Sequence, residues 1–306
     1  MTIKSLFIKQ GRLRPTWRVV CYVFAYLMGS VVVGIPIAVI LVLTLNLGAA
    51  DETTLMVIEY SLPLLIMLGV ANLALTLPLT YLFRRFLDGG SLVDLGLRKK
   101  AGWLKEVSGG LLLGLLLIGA AFLLQWGAGW LKVSGFAWQV QAQPVVLGNL
   151  LGYLVMMSMV AFYEELTYRG YILQNLHTDW GAKVAIVASS ILFAIFHGLN
   201  PNVTPLALVN ISLAGVLLAV CYLATRELWL PMAFHFSWNF VQGPVLSLPV
   251  SGLATTGLLL VETGGNPLIT GGGFGPEGGL ITTATMSLGL LILLLWRRRR
   301  RPSGSR

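Results

Sequence analysis

The stretch Leu147–Gly170, LGNLLGYLVMMSMVAFYEELTYRG, decides how the whole chain is read. It begins as an apolar run long enough for a membrane helix and ends with Glu164, Glu165 and Arg169 inside six positions. A charge at the centre of a membrane helix costs roughly 2.5–3.5 kcal/mol on insertion scales, so three of them together need partners or a purpose. The rest of the chain confirms the setting. Of 306 residues, 56% are hydrophobic and 11% charged, against roughly 25% charged in a soluble domain.

Working outward, runs of about 20 apolar residues mark spanning helices. They fall at 19–47, 55–83, 107–131, 147–175, 182–199, 203–225, 229–249 and 280–296. The expected fold is an all-α, polytopic membrane helix bundle with about eight transmembrane helices. The fourth run turns polar after Glu164, the fifth is short, and the seventh carries Pro231, His235 and Asn239. Three regions follow: N-terminal helices and a cytoplasmic linker over 1–146, a core over 147–249, and 250–306 with a Gly-rich external loop, a last helix and a basic tail.

The net charge of +9 does not point to nucleic acid, because the basic residues sit at the ends of apolar runs. Lys4, Lys9, Arg12, Arg14 and Arg18 precede the first run; Arg84, Arg85, Arg98, Lys99, Lys100 and Lys105 lie between the second and third. Lys183, Arg226 and Arg297–Arg301 continue the pattern, while Asp51 and Glu52 take the opposite side. The positive-inside rule then places both termini in the cytoplasm of a multi-pass protein of the cell membrane. The first run exceeds the roughly 7–15-residue h-region of a signal peptide. Cys21 and Cys221 both fall in apolar runs and read as small buried hydrophobes rather than a disulfide. Thr263–Gly279, TGGNPLITGGGFGPEGG, lacks the Lys-Ser/Thr of a phosphate loop and reads as a flexible external linker.

The ionisable residues inside apolar runs are Glu59, Glu164, Glu165, Arg169, His197 and His235, with Asn239 as a polar companion. Such residues are functional candidates by default. Glu165 and Arg169 stand at i, i+4 with the acid first, the favourable order for an ion pair, and read as a structural salt bridge. Glu164 points about 100° away on the helical wheel and is the candidate general base. Glu164 and His197 lie symmetrically about position 180–181, so a hairpin of the fourth and fifth helices brings them to similar depth. His235 and Asn239 are again i, i+4; they can donate to an oxyanion or simply hydrogen-bond between helices. His177 lies in the hairpin turn and reads as solvated. Glu59 has no evident partner.

In order, Glu-Glu-x-x-x-Arg at 164–169, Phe-x-x-x-His at 193–197 and His-x-x-x-Asn at 235–239 resemble the CPBP intramembrane proteases, also known as the CAAX-protease, bacteriocin-processing or Abi family. The segment RRFLDGGSLVDLGLRK at 84–99 is similar to the family's lead-in. The resemblance implies an eight-helix bundle, a cavity open to the cytoplasm, and glutamate-dependent hydrolysis of a membrane-associated peptide or protein. Glu164 would then activate water, His197 help hold it, and His235 and Asn239 form the oxyanion hole. Glu165, Arg169 and Phe193 would support the site. No cofactor or metal is implied. Three other readings stay open: a zinc metalloprotease using His197, His235 and a glutamate, a non-catalytic immunity or scaffold protein, and a proton-coupled transporter. Substrate and oligomeric state are not legible.

Overall fold

The structure is a computed structural model that describes residues 6–9, 11–44 and 61–299. Glu59, Asp51, Glu52, Lys4 and the end of the arginine run therefore lie outside the described residues. Eight long helices are present among the described residues: α1 Pro15–Thr44, α2 Leu62–Leu82, α3 Trp103–Gly127, α4 Gln143–Glu165, α5 Leu173–Phe196, α6 Pro205–Thr225, α7 Trp229–Phe240 and α8 Leu280–Arg299. Among the described residues six continuous helical stretches are long and apolar enough to cross a membrane. One of them, Gln143–Phe196, contains both α4 and α5, and α7 is too short to qualify alone. The chain is an integral, multi-pass helical membrane protein.

Local chemistry sets the helix ends. Thr204 accepts a hydrogen bond from the Ala207 N–H with Pro205 in the first turn, a standard N-cap. Helix α4 has no such stop. It runs on through a π-helical segment, Leu166–Ile172, into α5; π segments open the backbone ladder and recur at functional sites. The reversal comes later, at Gly181, whose φ of 76° and ψ of 174° suit only glycine. Beyond it the chain doubles back, so that the Tyr168 ring meets Phe193 edge-on at 5.0 Å.

The basic residues collect at one end of the bundle. Arg18 and Arg84 pair with Asp88. Lys9 and Arg14 of the N-terminal segment, which also forms a short hairpin of β1 Ile8–Lys9 and β2 Arg12–Leu13, pair with Asp179 at the α4–α5 tip. Arg98 and Lys100 engage Glu227 between α6 and α7 through backbone N–H and ammonium respectively. At the opposite end, β3 Leu131–Phe136 pairs antiparallel with β4 Leu259–Thr263, a small sheet on an otherwise helical protein.

Two close approaches position the site. Helices α3 and α7 meet through Gly110 and Gly114. A Cβ at Gly110 would stand 2.5 Å from the Leu230 carbonyl oxygen and 2.8 Å from the Ala233 Cβ; at Gly114 it would stand 2.8 Å from the Phe234 oxygen. This is the small-xxx-small logic of membrane helix packing. Ser237 Oγ adds a hydrogen bond to the Leu111 carbonyl at 2.7 Å. Similarly, a Cβ at Gly215 of α6 would meet Ser190 of α5 at 2.8 Å.

The segment 263–279 differs from the flexible linker that its composition suggests. It folds into a turn of helix, Pro267–Thr270, and two 3-10 turns, Gly272–Phe274 and Pro276–Gly278, with Phe274 fully buried. Glycine here permits close backbone approach rather than freedom. Gly252, at φ +88°, donates its N–H to the Phe274 carbonyl, and a Cβ on it would stand 2.0 Å from the Pro201 oxygen. The segment caps the end of the bundle that holds the start of α6 and the end of α5.

Candidate active site

Four elements supply the site: α4 with its π-helical extension, the end of α5, α6 and α7. Arg169 is the largest fully buried side chain among the described residues, 1% exposed. Its Nη1 donates to Glu165 Oε1 at 2.8 Å and its Nη2 to the Gly215 carbonyl at 3.2 Å. The guanidinium also lies 4.5 Å from the centre of the Phe193 ring, a desolvated cation–π contact. The cation thus has a carboxylate, a carbonyl and a ring face as partners, and the i, i+4 pair read from the sequence is present.

Glu165 does more than pair with Arg169. The same Oε1 accepts a hydrogen bond from His235 Nδ1 at 2.9 Å. That contact fixes the imidazole, because a ring nitrogen bound to a carboxylate carries its proton there. The other nitrogen, Nε2, then faces Glu164, with Oε2 3.7 Å away. Glu164 Oε2 is buried and accepts no hydrogen bond among the described residues. The two adjacent glutamates therefore sit on either side of one imidazole.

His197 caps the end of α5, and its Nδ1 bonds to the Phe193 carbonyl at 2.7 Å, one turn back. With Nδ1–H donating to that carbonyl, Nε2 is the nitrogen left for the cavity. A cavity of about 280 Å³ is lined by Glu164, Phe193, His197, His235 and Asn239 together. The structure thus gathers the residues singled out on the three motifs, with Glu165 and Arg169 behind them. Glu164 approaches the imidazole of His235.

Glu164 lies well inside a long helical stretch, about 21 residues after Gln143 at the start of α4. Glu164 precedes the Gly181 reversal by about 17 residues, roughly 25 Å of helix at 1.5 Å per residue. From Glu164 the lining continues to Asn200, Ser251, Leu253 and Thr255, which are half-buried, while Thr167 and Tyr168 on the side of the basic end are buried. The reversal at Gly181, within α5, places the two motifs a long helical stretch away from the charged tip.

Three residues missing from the sequence reading belong to the same space. Asn210, Ser251 and Glu277 line it as well. Asn210 donates to the carbonyls of Glu277 and Gly279, at 2.8 and 2.9 Å, and accepts from Thr283. Nothing in local pattern marks Glu277, a lone acid in a glycine-rich stretch whose partners are 26 to 67 residues distant in sequence. Among the described residues no three His, Cys, Asp or Glu side chains converge as a metal set.

With this geometry in hand, comparison with known proteins gives one match. Residues 144–241 fit the family model described as type II CAAX prenyl endopeptidase Rce1-like, over about a third of the chain. No curated protein and no solved structure matches.

Proposed function

We propose that this chain, whose residues 144–241 match the type II CAAX prenyl endopeptidase Rce1-like model, hydrolyses a peptide bond within the membrane by a water that Glu164 activates. The match supports a CAAX-type intramembrane protease, and the glutamate mechanism goes beyond it. The observation that carries it is the buried Glu164 Oε2, which has no hydrogen-bond partner among the described residues and lies 3.7 Å from His235 Nε2 in a cavity shared with His197 and Asn239.

The chemistry follows from where protons can go. Glu164 takes a proton from water held between its carboxylate and His197 as the oxygen attacks the scissile carbonyl. The carbonyl oxygen becomes an oxyanion, which receives hydrogen bonds from Asn239 and from His235 Nε2 when that ring holds its second proton. Glu165 is the counter-ion for that form, through the 2.9 Å contact with Nδ1. The proton on Glu164 then passes to the leaving amine as the C–N bond breaks. Each group enters and leaves in the same state, so the cycle balances.

The depth of the cavity bears on the substrate. The basic flanks support a cytoplasmic basic end, and the cavity rim of Asn200, Ser251 and Thr255 lies on the side away from it. This supports cleavage inside the membrane, about 25 Å of helix from the basic tip. The family description makes a prenylated CAAX-type peptide the first probe to try.

The test is turnover of a quenched farnesylated CAAX peptide by purified protein. Glu164→Gln keeps the shape and removes the base, so cleavage should vanish while the melting temperature holds. Chelator-treated wild-type protein should remain active. Loss on stripping with recovery on adding zinc would favour the metalloprotease built on His197, His235 and a glutamate.

A further inference from the structure

We propose that Glu277 is a positioning residue of this site: it ties the helix bearing His235 and Asn239 to the chain leaving His197, and so sets the gap across which water and peptide are held. The proposal rests on the peptidase reading above and extends it to a residue beyond the segment that matches the family.

The carboxylate is 5% exposed and bridges two elements. Its Oε1 accepts from Trp238 Nε1 at 3.2 Å, and Trp238 lies between His235 and Asn239 on α7. Its Oε2 accepts from the Ser251 N–H and from Ser251 Oγ, the latter at 3.1 Å. The Ser251 carbonyl in turn accepts from Asn200 Nδ2 at 2.8 Å, and the Asn200 N–H donates to the His197 carbonyl at 3.1 Å. A continuous chain of hydrogen bonds therefore runs from α7 through Glu277 to the residue that caps α5.

Burying an acid is costly unless donors surround it. Burial pushes the Glu277 carboxyl up from its ordinary range, and the Ser251 and Gln242 donors and nearby His197 act in the opposite sense. A segment that only plugged the end of the bundle could do so with apolar residues such as Phe274. A carboxylate aimed at both sides of the cavity is suited to holding two catalytic elements in register. Such register matters, since a displacement of about 1 Å at a reacting group can lower a rate on the order of 10²-fold.

The experiment uses the purified full chain in detergent with the farnesylated CAAX peptide as probe. Glu277→Gln keeps the length and one acceptor oxygen but sets an NH2 group against either Trp238 Nε1–H or the Ser251 N–H. The expected result is a fall in kcat on the order of 10²-fold, with KM and melting temperature close to wild type. Glu277→Asp, which keeps both oxygens and the charge, should restore part of kcat. Trp238→Phe should lower kcat, and adding Glu277→Gln to it should lower kcat little further. Hydrogen exchange gives a second readout that needs no turnover: amides near His197–Asn200 and along α7 should exchange faster in Glu277→Gln. An unchanged kcat, or a fall that only follows a falling melting temperature, overturns the proposal. If wild-type protein leaves the peptide intact, the prenyl-peptidase reading fails, and exchange alone decides the clamp. Faster exchange at both elements supports it, and faster exchange confined to 246–256 overturns it.

Discussion

At the scale of single residues, the two adjacent glutamates have separate tasks. Sequence spacing pairs Glu165 with Arg169, and the structure adds His235 on the same oxygen. Arg169→Ala strands a buried carboxylate, and breaking such a pair typically costs about 3–5 kcal/mol. The expected outcome is a lower melting temperature together with lower turnover; a fully stable but inactive variant would assign Arg169 to the chemistry instead. Glu165→Gln removes the counter-ion of His235 and half of the Arg169 pair, so both turnover and stability should fall, unlike the Glu164→Gln case. Asn239→Ala removes one oxyanion donor and should lower kcat on the order of 10²–10³-fold, with residual turnover measurable.

At the scale of elements, α7 is the critical piece. Only 12 residues long, it is a weak membrane helix by itself, and its place is set by the α3 glycines. Gly114→Leu would drive a side chain into the Phe234 carbonyl and the Ser237 Cβ, both 2.8 Å from the added Cβ. Overpacking of this kind typically costs about 1–3 kcal/mol, and a shift of α7 moves His235 and Asn239 together. The variant should therefore lose turnover out of proportion to its change in melting temperature. A variant with wild-type kcat would mean that the α3–α7 contact does not set the site. The motif Gly110-x-x-x-Gly114 stands in plain view in the sequence. Its partner helix does not, because the contact joins residues some 120 positions apart.

At the scale of the whole molecule, the separation between basic end and cavity rim yields a topological prediction. In a Cys21→Ala, Cys221→Ala background, Ala254→Cys near the rim should react with an impermeant maleimide added to intact cells. Thr178→Cys at the α4–α5 tip, exposed beside Asp179, should react only after the membrane is opened. The reverse pattern would place the cavity on the cytoplasmic side. Much of this molecule was determined by sequence alone. Apolar runs require helices in a medium that cannot satisfy a free backbone, and the basic flanks order them. Three polar motifs within those runs name the cavity's Glu164, His197, His235 and Asn239, since a charge at that depth persists only with a partner or a function. The tertiary structure decided what depends on distant contacts. It made one imidazole the link between Glu164 and Glu165. It placed the cavity about 25 Å of helix from the charged tip. It folded Thr263–Gly279 into a cap that delivers Glu277. Composition reports glycine as freedom, but where backbones must nearly touch, as Gly252 does with Pro201, the absence of a side chain is what permits a fixed structure, and only the neighbour in space reveals which case applies.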